Sequence, residues 1–317
     1  MPAYGQHVAL SASSPKSTLP LLASSIRSRT SHAAEFVALT KPRIIELLLV
    51  TTLPAMVLAR RGVPSGWLIL FTLVGGTLAA GGANAANMVV DRDIDKLMRR
   101  TQRRPLVTGT ITPRAGASFA VLLEVAAFID LWLAVNLLSA LIALLAALFY
   151  VFVYTIWLKR TSTQNIVIGG AAGAAPALIG WVAVTGRLSW APVILFAIIF
   201  LWTPPHFWSL AVRYKDDYQT ARVPMLPAVA SIKNTSRQII AYTAVMWAAS
   251  LALVPVAGMG AIYLASAALL GGVFMGYALN LARSRSPESA MSLFRYSIIY
   301  LTLLFVAVAL DVLVRHP

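Results

Sequence analysis

The chain has 317 residues, of which 59% are hydrophobic and only 12% charged, and its mean hydropathy is +0.77. Soluble domains carry about 25% charged residues, so this chain lacks the charge to coat a water-exposed surface and is expected in a lipid bilayer. Its net charge of +15, from 26 Lys and Arg against 11 Asp and Glu, then reads as a membrane-topology signal, not a nucleic-acid partner. The absence of Cys excludes disulfides, thiolate metal sites and cysteine nucleophiles.

Residues 1–34 contain eight Ser, scattered Arg and no Asp or Glu. That composition cannot bury a core and predicts a disordered tail, although an acid-poor, Ser- and Arg-containing start also fits an organelle transit peptide. A single membrane domain is expected over 35–317. It divides into nine apolar stretches of about membrane length, near 43–59, 66–90, 115–136, 138–158, 165–185, 189–212, 238–257, 259–282 and 294–314. They are continuously apolar and do not alternate at period two, which excludes a barrel. The fold class is therefore all-α, a polytopic protein with nine transmembrane helices. The third and fourth spans are so close that they must form a tight hairpin, and an odd count places the termini on opposite sides.

Of the 26 Lys and Arg, all but Arg60, Arg61, Arg187 and Arg315 fall in the N-terminal segment or in loops after even-numbered spans. Cytoplasmic loops collect such residues, so the N-terminus and the even-numbered loops are expected in the cytoplasm.

Five of the eleven acids, Asp91, Asp93, Asp95, Asp216 and Asp217, sit in the loops after spans two and six, which also hold the most cations, seven and five. Asn87, Asp91 and Asp95 recur at i, i+4, i+8, which stacks three oxygen-bearing side chains on one helical face. Hard oxygen ligands of this kind suit Mg²⁺, which shares its coordination with water and substrate phosphates. Arg99, Arg100, Arg103 and Arg104 follow, and guanidinium forks match phosphate oxygens. The competing reading is an interfacial helix on which Arg92, Lys96 and Arg99 neutralise the acids against anionic lipid. Asn84 and Asn87 weigh against it, because polar groups at the end of an apolar span tend to face a cavity.

The second loop echoes the first, Thr101-Gln-Arg-Arg-Pro105-Leu against Thr220-Ala-Arg-Val-Pro224-Met, four spans later. That offset suggests an internal duplication with both acidic loops on one membrane face. Elsewhere, Glu124 and Asp130 lie six residues apart in span three and are expected to face different directions in structural roles. The Gly and Ala run from Gly169 to Gly180 is expected to allow close helix approach, or alternatively to open space for an apolar tail. In span six, Pro204 and Pro205 lack N–H groups and are expected to break the helix, with His206 satisfying the freed carbonyls or lining a site.

The pattern Asn87-x3-Asp91-x3-Asp95 with Arg100-Thr-x-x-Arg104-Pro105 and a second acidic loop after span six resembles the UbiA superfamily of intramembrane prenyltransferases. Leu39-Thr-Lys41-Pro42-Arg43, Gln164-Asn165-Ile-Val-Ile-Gly169-Gly170 and Trp202-Thr-Pro204-Pro205-His206-Phe207-Trp208, running into Tyr214-Lys215-Asp216-Asp217-Tyr218, make it most like the heme-farnesylating branch. The likeness covers residues from about 39 to 227. One departure is Arg213, where the superfamily's second motif usually begins with Asp, so the first loop is the firmer metal site.

The resemblance implies a UbiA-like bundle that uses Mg²⁺ to transfer the farnesyl group of farnesyl diphosphate to the 2-vinyl group of heme b, giving heme O and diphosphate. It implies metal ligation by Asn87, Asp91, Asp95, Asp216 and Asp217, with Asp91, Asp95, Asp217 and Lys215 catalytic. Asn87, Arg100, Arg104, Lys41 and Arg43 would hold the diphosphate. His206 is the heme-binding candidate, as an axial ligand or a lining group. The partners implied are heme b, farnesyl diphosphate and the bilayer, with heme A synthase or terminal-oxidase assembly downstream. The location implied is the bacterial inner membrane, or alternatively the mitochondrial one. The competing functions are a sister prenyltransferase acting on an aromatic or quinone precursor, and a secondary transporter, which broken helices and an internal repeat also fit.

Overall fold

The computed structural model describes residues 32–316, with the backbone alone for 43–49. The expected N-terminal tail lies outside the described residues except for 32–34, which form the first turn of a helix. Helix α1 (His32–Thr40) leads through Lys41, at φ 54, into α2 (Pro42–Arg60), where Pro42 occupies a first-turn position that needs no N–H. Helix α3 (Gly66–Val90) begins at Ser65, whose hydroxyl accepts from the Leu68 N–H at 3.3 Å. The first acidic loop contains two short helices, α4 (Arg92–Asp95) and α5 (Pro105–Thr108). Then come α6 (Pro113–Ala134) and α7 (Leu137–Leu148), which continues as a π-helix over Phe149–Leu158 and ends in α8 (Lys159–Thr161). Helices α9 (Asn165–Thr185) and α10 (Trp190–Arg213) follow, with α11 (Lys215–Thr220) and α12 (Leu226–Val229) in the second acidic loop. The chain ends with α13 (Ile232–Ala257), α14 (Ala261–Ser284) and α15 (Pro287–Arg315).

Among the described residues, eight helices are long and apolar enough to cross a membrane, and α2 adds a shorter apolar stretch over Val50–Arg60. These match the nine expected spans in order. Helices α13 and α15 start earlier than their apolar runs, because polar first turns such as 232–237 are helical without being hydrophobic. The expected hairpin is formed by α6 and α7, joined through Val135 and Asn136. Asn136 caps α7 by accepting from the Ser139 N–H at 2.9 Å and reaches across to donate to the Val182 carbonyl at 3.0 Å.

One local expectation is corrected. Helix α10 runs unbroken through Pro204 and Pro205. It is packed against α9, α13 and α15, and that tertiary embedding holds a helix that has lost two N–H donors. Glu124 and Asp130, about 120° apart around α6 as six helical residues require, both reach the α3–α6 interface. A methyl placed on Gly82 would lie 2.8 Å from Glu124 Oε1, and one on Gly75 would lie 2.6 Å from Asp130 Oδ2. A helix seated closely over glycines presents a wide arc of its surface to its neighbour, wide enough to admit both acids.

Three of the four glycines of α9 serve close approach, as expected. Gly169 lies under the Tyr154 ring, Gly170 against Thr203 and Gly180 against the Thr52 carbonyl. Ala171, Ala172 and Ala175 instead line a shallow apolar groove of about 210 Å³ with Leu145, Phe149 and Phe196. The principal core fills the space among α9, α10, α13, α14 and α15 and includes the fully buried Trp208, Tyr263, Phe274, Tyr300 and Phe305. On the face opposite the acidic loops, Arg61 donates to the Ala257 carbonyl at 2.5 Å and Arg315 to the Gly258 carbonyl at 2.6 Å. Asp311 accepts from the Gly260 and Tyr263 N–H groups at 2.6 and 3.2 Å. Two of the four cations on that face therefore cap the end of α13, while Asp311 caps the start of α14.

Candidate active site

The C-terminal turn of α3 carries Asn87 on the same face as Asp91, which is the first residue beyond the helix; Asp95 stands one turn further on, in α4. All three are buried, with Asp91 wholly inaccessible. The expected stack is present: the Asp91 N–H donates to the Asn87 carbonyl at 2.9 Å and the Asp95 N–H to the Asp91 carbonyl at 2.8 Å. Like charges one turn apart repel, so the arrangement requires cations close by, and the fold supplies them from three segments.

Lys41, at the left-handed turn before α2, donates to Asn87 Oδ1 at 2.7 Å. Asn87 Nδ2 in turn donates to Asp91 Oδ2 at 2.7 Å and to the Thr155 hydroxyl at 3.0 Å. Lys159 pairs with Asp91 Oδ2. Arg104 holds Asp95 Oδ2 at 2.6 Å, and Arg160 grips both oxygens of Asp93 at 2.7 Å while donating to the Val90 carbonyl at 3.1 Å. The remaining oxygen of Asp91, Oδ1, is buried without a hydrogen-bond partner, and the Arg160 guanidinium stands 3.9 Å away.

The electrostatics follow from this crowding. Desolvation, reinforced by the neighbouring charges of Arg104 and Lys159, pushes the Lys41 ammonium down to about 7. The forked hydrogen bond from Arg160 pulls the Asp93 carboxyl down to about 2. Arg100 reaches the Tyr218 hydroxyl of α11, so the first acidic loop touches the second. Burial pushes the Tyr218 phenol up.

The structure thus brings Lys41, Asn87, Asp91, Asp95 and Arg104 together and places Arg100 against the second loop. Lys215 and Asp216 are exposed and Asp217 is half-buried, and none of the three makes an ion pair among the described residues. Among the described residues no three His, Cys, Asp or Glu side chains are grouped closely enough to hold one metal ion. The side chain of Arg43 lies outside the described residues. The donor set nevertheless fits Mg²⁺: two buried carboxylates and an amide oxygen, with one carboxylate oxygen unpartnered, are the hard, incomplete ligand set this ion takes before phosphate completes it.

Sequence reasoning missed Thr155, Lys159 and Arg160. They come from the far end of the fourth span, where Lys159 and Arg160 read as topology charges. The only available hint was the i, i+4 spacing of Thr155 and Lys159 at a cytoplasmic span end. His206, by contrast, sits within α10, and its ring is buried between aromatic neighbours.

Residues 48–306 match the UbiA prenyltransferase family. The chain belongs to that family. A protoheme IX farnesyltransferase of Clavibacter sepedonicus is 56% identical over 280 residues, covering 87% of this chain and 91% of that one. The solved structure of a digeranylgeranylglyceryl phosphate synthase superposes with a TM-score of 0.74 at 17% identity, over 89% of this chain and 98% of that chain. A UbiA homologue from Archaeoglobus fulgidus, solved with GPP and Mg²⁺, superposes with a TM-score of 0.59 at 17% identity, over 87% and 99% of the two chains. At such identities the two structures establish the fold, and this is a prenyltransferase of the membrane-embedded UbiA type.

Proposed function

We propose that this protein transfers the farnesyl group of farnesyl diphosphate to the 2-vinyl group of heme b. In the overall change the allylic C–O bond breaks, a C–C bond forms to the vinyl terminus, and water adds at the vinyl carbon next to the ring. The products are heme O, diphosphate and a proton. What carries the reading is the conjunction of an intact acid–cation stack with 56% identity over most of the chain to a protoheme IX farnesyltransferase.

The residues divide the work by charge. Asn87, Asp91 and Asp95, with Asp216 and Asp217 on the facing loop, would hold Mg²⁺, as a UbiA homologue solved with GPP and Mg²⁺ suggests. Bound there, the ion supplies neutralisation of charge developing on the leaving diphosphate. Lys41, Arg43, Arg100, Arg104, Lys159 and Lys215 would clamp the diphosphate oxygens and stabilise the same charge electrostatically. The apolar spans keep water from the allylic carbon until the new bond has formed. The location that fits is a bacterial inner membrane, where a heme A synthase or terminal oxidase would take the product.

The test is a reaction of the full chain in nanodiscs with farnesyl diphosphate, heme b and Mg²⁺, with the pigment extracted afterwards. Heme O is expected, its formation abolished by chelator and restored by Mg²⁺. Prenylation of an aromatic acid in place of heme would establish the sister reading instead.

A further inference from the structure

His206 lies on α10, seven residues before its cytoplasmic end, or about 10 Å along the helix. Its ring is held on both faces, stacked on Trp202 at 4.2 Å and 20° and set against Phe294 of α15 at 4.6 Å and 32°. Phe207 meets it edge-on at 5.0 Å. Ser297 anchors it by one edge, with Nδ1 and Oγ 2.6 Å apart.

The proton on that contact can be placed. The Ser297 hydroxyl donates to the Phe294 carbonyl at 2.6 Å, so its single hydrogen is committed and its oxygen can only accept from the ring. His206 Nδ1 therefore carries the proton, and Nε2 carries the lone pair. The Ser297 carbonyl also accepts from Trp202 Nε1 at 2.7 Å, which fixes the stacking partner through the same residue. Among the described residues Nε2 has no hydrogen-bond partner, yet it is not among the sealed polar atoms, and His206 keeps 8% of its surface accessible.

An imidazole fixed in its tautomer by an Nδ1–H donor bond, sandwiched so that it cannot turn, and left with a free Nε2 lone pair is how proteins prepare a histidine to bind a metal centre. A histidine serving only to tie α10 to α15 needs the Nδ1 bond and gains nothing from an unpartnered polar nitrogen in an apolar setting.

We propose that His206 Nε2 is an axial ligand to the iron of the heme substrate, with Ser297 and Trp202 as its positioning residues. This rests on heme being the acceptor. Iron is at the centre of the macrocycle and the vinyl group at its rim, so a ligand about 10 Å below the cytoplasmic end of α10 holds the ring deeper in the bundle than the diphosphate clamp.

The test is titration of the full chain in nanodiscs with heme b alone, followed by absorption and, after reduction, by resonance Raman spectroscopy. The wild type should give a saturable histidine-type Soret band and an iron–histidine stretch. His206→Ala should lose both, bind heme at least about tenfold more weakly, and regain the ligated band when imidazole is added. Ser297→Ala keeps the histidine but removes the acceptor of its Nδ1 proton. It should lower the frequency of the stretch, an effect no purely structural role would produce, and it carries the test if His206→Ala does not fold. An unchanged band and stretch in the folded His206→Ala protein, while the wild type still makes heme O, would overturn ligation and leave the proposed reaction standing. No saturable binding and no heme O from the wild type would overturn both.

Discussion

Asp91 is the residue on which the site turns, since it is fully buried, paired with Lys159 through one oxygen and without a hydrogen bond at the other, 3.9 Å from Arg160. Removing one electrostatic partner of a developing charge costs about 10²–10³ in rate, so Asp91→Asn should lower kcat/KM for prenyl transfer by that order. A variant that kept near wild-type turnover would show that the carboxylate does not hold the ion that neutralises the diphosphate. Lys159→Met makes a different prediction. It strands a buried charge, which is expected to cost about 3–5 kcal/mol, read as a lowered Tm of the purified protein. Added Mg²⁺ should recover more of that loss in the variant than it adds to the wild type. The triad itself was legible, because a carboxylate every fourth residue has one reading on a helix and few residues compete with it in so uncharged a chain. Lys159 and Thr155 were not, because a single sequence shows that a span is apolar without showing which of its faces meets which neighbour.

At the level of helices, α9 carries its own control. A Cβ at Gly180 would fall 2.5 Å from the Thr52 backbone oxygen, where nothing flexible can yield, whereas one at Gly173 meets nothing within 4 Å. Gly180→Ala should cost about 1–3 kcal/mol by overpacking, and Gly173→Ala should not lower Tm; equal effects would mean that α2 and α9 do not approach as described. Asp311→Ala leaves the Gly260 and Tyr263 N–H groups without their acceptor and should cost about 1–3 kcal/mol, again measured by Tm. Hydropathy alone located the spans, since length and apolarity are what a bilayer selects. It was silent on the π-helix over Phe149–Leu158, where hydrogen-bond register and not composition decides the path. It also misjudged Pro204 and Pro205, because the packing that keeps α10 whole comes from helices remote in sequence.

For the whole molecule, the orientation inferred from the cations can be checked without background, because the chain has no Cys. Gln102→Cys, in the first acidic loop, should react with a membrane-impermeant thiol reagent only from the cytoplasmic side, and Val63→Cys, between α2 and α3, only from the other. The reverse pattern would invert the topology. The overall charge asymmetry was readable at this scale because positive-inside bias is summed over many residues and survives error in any one. The roles of Arg61 and Arg315 were not readable, since a count treats a helix cap and a stray charge alike. Among the described residues, the ion pairs of Asp91, Asp93 and Asp95 and the Lys41–Asn87 bond beside them are drawn from residues 41–160, and the Arg100–Tyr218 contact reaches into the second half. A ribosome emitting this chain therefore releases every partner the buried acids need before α9 emerges. The nascent protein never has to hold bare aspartates at the membrane surface while it waits for its C-terminal helices.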